Sequence, residues 1–225
     1  TSAATALATR LAAKIKTATP TLSMLSVRGM MVHSAKWTPE MIRIGNIKDI
    51  IPLCGYGVPD EETALFSNEK YATFIFENEL IPYWEKDGSN TYNQLHFYDL
   101  PWPTEVLEQM GEENVKIRIT LSYYVKPSPG YAGRSNKYRY PSATLHFDLK
   151  SASESMEEFL CRRNKSEGEK RTDNDTNRWT IKQQRREQGT VQSDWIECTA
   201  AELASCGQII VYPGQGWWKE RKLAN

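Results

Sequence analysis

Residues 115–125 read VKIRITLSYYV. Val115, Ile117, Ile119 and Leu121 alternate with Lys116, Arg118, Thr120 and Ser122, so apolar and polar side chains fall on opposite faces of a strand. The alternation returns at 144–149, TLHFDL, and a shorter apolar run, QIIVY at 208–212, ends at Pro213. Residues 71–76, YATFIF, are aromatic and β-branched and read as a further strand. Turn residues punctuate these runs at Pro101 and Pro103, at 127–130 (PSPG) and at 213–216 (PGQG). Short strands between turn clusters predict a β-sandwich, with one helix near 154–163 and an exposed polar loop over 164–177.

Toward the N-terminus the texture is helical. Residues 1–16 are rich in alanine, with Leu7, Leu11 and Ile15 at four-residue spacing, and Pro20 stops the pattern. A second helix is expected over 23–33, where Met24, Val27 and Met31 share one face and Leu25 and Val32 another. A Gly-rich turn follows at 55–60 (GYGVPD), and Asp60 is placed to cap a short helix over 61–66. The change of texture predicts two parts, 1–70 and 71–225. A helical piece of roughly 70 residues is too small to hold a core of its own. It is therefore expected to expose apolar surface, to pair with a second copy, or to need polypeptide that precedes it.

The chain of 225 residues carries 28 basic and 28 acidic side chains, with 40% apolar and 25% charged residues. That balance fits a globular protein and argues against a phosphate-backbone binder. No apolar run reaches the length that spans a bilayer, and no signal-peptide pattern opens the chain. No nucleic-acid or membrane partner is therefore expected. Cys54, Cys161, Cys198 and Cys206 lack paired spacing, which predicts free thiols, no zinc site and a cytoplasmic setting. No cofactor is expected.

The chemistry concentrates at Thr1-Ser2, directly before the alanine-rich helix. The first amides of a helix have no intrahelical acceptor and point toward a reacting oxygen there. They can stabilise the oxyanion formed when a serine attacks a carbonyl. A serine also caps a helix without any chemistry, and as a nucleophile it needs a base and a group to orient that base.

TSAATALATRLAAKI (1–15) resembles the serine segment of subtilisin-like peptidases, in which a Thr-Ser pair enters a buried helix. VRGMMVHSAKWTPEM (27–41) resembles the next helix of that family, and CGYGVPDEETAL (54–65) the turn and short helix that close its catalytic domain. LPWPTEVLEQMGEENVKIRITLSYYVKPSPG (100–130), the Arg- and Tyr-rich piece before Pro141, and SDWIECTAAELASCGQIIVYPGQGWWK (193–219) resemble the C-terminal β-domain of a bacterial subgroup. The resemblance implies an α+β fragment: the helical C-terminal end of a subtilisin-like α/β catalytic domain, then a jelly-roll-like β-sandwich truncated at its end. It implies that Ser2 is the nucleophile of a serine endopeptidase, that its N–H is one oxyanion donor and that the Thr1 hydroxyl supports the oxyanion hole. The family's aspartate, histidine and oxyanion-hole asparagine precede the serine, so the chain by itself is expected to be inactive. Ala6 stands where many members carry proline, which leaves the proton-transfer groups untouched. Implied partners are the preceding catalytic region, a polypeptide substrate and, by analogy with relatives, an AAA-type ATPase.

Two other readings stay open. The β-rich part is a binding module that recruits substrate or a partner protein. Alternatively, Thr1 acts as an N-terminal nucleophile with its own amine as base. His33 reads as a helix C-terminal histidine, His96 and His146 as strand residues packed across a sheet, and Asp60, Glu61 and Glu62 as a helix start. Trp102, Trp217 and Trp218 read as packing residues, with a peptide or carbohydrate platform as the alternative. KQQRR at 182–186 reads as a solvated face.

Overall fold

The computed structural model describes residues 1–65, 71–125, 143–164, 178–214 and 216. Helices and small antiparallel sheets alternate along the chain, an α+β architecture. The chain forms two compact units that interleave in sequence instead of dividing at residue 70. The first takes residues 1–78, 118–124 and 184–195, and the second takes 79–117, 125–183 and 196–225.

In the first unit, α1 (Ser2–Ala18) ends just before Pro20, and α2 (Met24–His33) begins at Ser23, whose hydroxyl accepts from Ser26 N at 3.2 Å. Both helices match the periodicity. Short helices follow: α3 (Pro39–Ile42), α4 (Ile47–Cys54) and α5 (Glu61–Leu65). Leu11, Ile15, Leu22, Val27 and Ala64 form one buried cluster joining α1, α2 and α5. The turn before α5 is held by a two-way bridge between Lys36 and Val58, each N–H···O contact 2.9 Å long. Gly57 is required there twice over: its φ is +99°, and a Cβ would stand 2.2 Å from the Lys36 carbonyl oxygen.

The second unit opens with a hairpin, β1 (Tyr83–Lys86) and β2 (Ser89–Tyr92). Asp87 and Gly88 turn it, both at positive φ, as a tight hairpin demands. A three-stranded antiparallel sheet has the order β3 (His96–Asp99), β7 (Gln208–Gly214), β5 (Thr144–Leu149). Ile210 and Tyr212 of β7 pack with Phe159 of α7 (Met156–Asn164). Helices α6 (Thr104–Met110) and α9 (Ala200–Ala204) pack together; α8 (Gln183–Arg186) is a single turn whose residues 184–186 belong to the first unit.

Two long strands, β4 (Asn114–Ser122) and β6 (Val191–Thr199), form a two-stranded ribbon. Tyr123 N donates to Thr190 O at one end and Ala200 N to Glu113 O at the other, so the strands run antiparallel. Residues 118–122 and 191–195 of these strands belong to the first unit.

The expected strand at 71–76 is absent: Tyr71 makes one bridge and 72–82 carry no strand. Phe74, Ile75 and Phe76 are all exposed, so this run lacks the alternation that buries one face. The turn at 127–130, the piece before Pro141, most of the polar loop at 164–177, and Trp217 and Trp218 lie outside the described residues.

Candidate functional site

Ser2 is the first residue of α1 and Thr1 its N-cap. Thr1 O accepts from Thr5 N at 2.9 Å and from the Thr5 hydroxyl at 3.1 Å, which closes the first turn. The Thr1 side chain makes no capping bond, and no acidic residue lies in the first turn. The opening amides are thus left to whatever acceptor approaches them. Both residues are exposed, and the Ser2 hydroxyl makes no hydrogen bond among the described residues.

Exposure is not confined to the helix tip. Residues 1–10 are exposed throughout, including Leu7 at 61%, whereas Leu11 and Ile15 on the same stripe fall to 7% and 2%. The first half of an alanine-rich helix therefore stands clear, while the second half is packed against α2 and α5.

No histidine reaches Ser2 by a hydrogen bond among the described residues. His33 closes α2, as its position in the sequence predicts, and its Nδ1 lies 3.0 Å from the Thr120 hydroxyl. Burial first, and the Arg118 charge second, hold His33 down to about 4, so its ring is neutral at ordinary pH. In the second unit His96 stands beside Tyr98, and His146 meets its cross-strand partner Tyr212 at 5.5 Å between centroids. Asp60 accepts from Glu62 N at 3.1 Å and from the Thr63 hydroxyl at 3.0 Å, and it pairs with Lys36. Glu61 pairs with Arg10 and Lys14. These carboxylates start α5.

A polar constellation of the first unit escaped the reading of the sequence. Arg28 of α2 donates from Nε to the Ser122 hydroxyl at 3.1 Å and from Nη2 to the carbonyls of Tyr123 at 2.8 Å and Thr190 at 3.1 Å. Its Nη1 reaches the Thr190 hydroxyl at 3.4 Å. Ser122 Oγ in turn donates to Leu25 O at 2.8 Å. Arg118 donates from Nε to Ser193 Oγ at 2.9 Å and from Nη1 to Ala35 O at 2.5 Å, with its guanidinium over the Trp195 ring at 5.2 Å. The Thr120 and Ser193 hydroxyls meet at 2.8 Å.

Arg118, Thr120 and Ser122 are three of the four polar residues of the alternating strand. Within the first unit that set meets α2 and β6. The signal available in the sequence was the spacing of Leu25, Arg28 and Gly29 on one helix face opposite three polar residues two apart. Neither pattern names its partner.

The solvated reading of residues 182–186 fails at Arg186. That side chain is buried and lies 3.5 Å from the equally buried Asp194 carboxylate. A charge can be buried there because an opposite charge accompanies it. Trp102 donates to Cys206 O at 2.9 Å. Cys54, Cys198 and Cys206 are free, and burial pushes Cys198 up to about 11, a poor nucleophile. Among the described residues no group of three or more His, Cys, Asp or Glu side chains is placed to hold a metal ion. No described helix is long and apolar enough to cross a membrane. No protein-family model, curated protein or solved structure matches the chain.

Proposed function

We propose that this chain is the nucleophile-bearing part of a subtilisin-like serine endopeptidase, which hydrolyses peptide bonds through an acyl-enzyme on Ser2. The observation that carries the reading is the opening of α1. A serine hydroxyl and uncapped amides stand together at the exposed tip of a 17-residue helix whose far end is anchored in the core. Ser2 attacks the scissile carbonyl, and the amides of the first turn face the oxygen that becomes negative. Thr1 lends its hydroxyl to the same oxygen. The base that takes the serine proton, and the aspartate that orients it, are assigned to polypeptide on the N-terminal side of Thr1. That polypeptide covers the exposed half of α1. The β-rich remainder is assigned to a sandwich-type domain.

Reaction of the uninterrupted gene product with a fluorophosphonate probe tests this. Label is expected on Ser2, is lost in Ser2→Ala, and is absent from the isolated chain. A folded gene product that takes no label at Ser2 overturns the reading.

A second reading is favoured by exposed aromatic side chains in the second unit. Trp84 is 52% exposed, and Phe97 and Tyr92 are 42% and 40% exposed, a composition typical of contact surfaces. On that reading the unit recruits a polypeptide partner or substrate, such as an AAA-type ATPase. It predicts that the Ser2→Ala chain retains partner binding in a pull-down.

A further inference from the structure

We infer that Arg28 and Arg118 are positioning residues for Ser2: together they lock α2 onto the β4–β6 ribbon, and α2 fixes the helix that carries the nucleophile. The inference rests on the proposed role of Ser2. Its premise is a difference in kind between the two contacts of α2. Toward α1 the contact is apolar, made by Val27 with Leu11 and Ile15 and flanked by Met30 and Met31. Apolar contact is non-directional, and methionine adapts to small displacements, so this face seats α1 on α2 without fixing where α2 itself stands.

Toward the strands the contact is directional. Leu25 O, the Arg28 guanidinium, the His33 ring and Ala35 O each meet a hydrogen-bonding partner. Three of those partners, Ser122, Thr120 and Arg118, are alternate residues of one strand face. Gly29 lets the backbones close up: a Cβ there would stand 3.2 Å from Ser122 Cβ. A planar fork that binds two carbonyls and two hydroxyls fixes both the height and the rotation of α2. The register of α2 then passes through the α1–α2 packing to Ser2, where a misplacement of about 1 Å is enough to cost about a hundredfold in rate. Late segments of the chain thus form part of the support for a nucleophile at its second residue.

The test uses the uninterrupted gene product and the rate of Ser2 phosphonylation per reactive molecule, alongside the fraction labelled at saturation. Arg28→Met is expected to slow the rate about tenfold or more while the labelled fraction stays at the wild-type level, with exposed Arg43→Met unchanged in both. An unchanged rate, or a loss confined to the labelled fraction, overturns the inference, because a purely stabilising role moves only the number of competent molecules. Should Arg28→Met fail to fold, Ser122→Ala replaces it. That variant removes one bond to Arg28 and one to Leu25, and a rate equal to wild type overturns the inference. A wild-type gene product with no label at Ser2 overturns the reading of the serine instead. The clip is then judged in the 225-residue chain by hydrogen exchange. Amides of residues 7–15 exchange faster in Arg28→Met if α2 holds α1 in place, and at the wild-type rate if it does not.

Discussion

The two sides of α2 are built on different physics. One side meets α1 through Val27 and its neighbours in a dry cluster. The other meets residues 118–123 and Thr190 through hydrogen bonds that involve Arg28, Ser122, Thr120 and Arg118. The apolar side supplies most of the free energy of association, because burial scales with area and tolerates small shifts. The polar side adds little net energy per bond, yet each bond is costly to leave unmade once its groups are buried. One contact says that the helices belong together, and the other says in which register.

The largest effect should come from the apolar side. Ile15→Ala removes a side chain that is 2% exposed, and a loss of about 3 kcal/mol is expected in denaturant unfolding of the chain. A loss below about 1 kcal/mol would mean that the cluster collapses around the gap.

The polar side should reveal itself through pH. His33 is held near 4 in the folded chain against 6.5 as a free side chain, so the unfolded state binds the proton more readily. Stability is then full above about pH 6.5 and declines as pH falls toward 4, by about 2 kcal/mol for a ring that is largely buried. The part of the slope above about pH 5 should vanish in His33→Gln, while below it the carboxylates held low in the folded chain, Glu77 among them, add their own loss. A slope persisting above about pH 5 would place the titrating group elsewhere.

A smaller and sharper test concerns Gly29. Replacing an interior helical glycine by alanine ordinarily gains about 1 kcal/mol. Here the new methyl meets Ser122 Cβ at 3.2 Å, so Gly29→Ala is expected to lose about 1 kcal/mol in denaturant unfolding, and a gain would mean that the strand yields to the helix. The smallest effect belongs to the exposed half of α1. Leu7→Ala should change the stability of this chain by less than about 0.5 kcal/mol. In the uninterrupted gene product the same change should cost about 2 kcal/mol if polypeptide covers that face.

The apolar half of this architecture was legible in the sequence and the polar half was not. Leu11, Ile15 and Val27 announce themselves by helical spacing, and TLHFDL and QIIVY mark β5 and β7 where they stand. β6 was missed because Gln192, Ser193 and Asp194 are buried polar residues, and a strand that buries polar groups has no period to read. The β1–β2 hairpin carried an unused signal, the Asp87-Gly88 pair that a tight turn favours. The Thr1-Ser2 pair was visible as a helix start, and its exposure and freedom from capping bonds needed coordinates. The Arg28 and Arg118 network was out of reach because it joins positions 75 to 162 residues apart through donors half of whose acceptors are backbone carbonyls, which no residue type identifies.

The interleaving of the two units also has a consequence for synthesis. Helix α2 emerges from the ribosome about 150 residues before 184–195 do, a delay of about 8–30 s at ordinary elongation rates. For that interval the carbonyl acceptors of Arg28 are incomplete, since Thr190 has not been made. The nascent helices wait with an arginine only partly partnered, open to chaperones and to proteases, and the set of acceptors is complete only when Thr190 has been made.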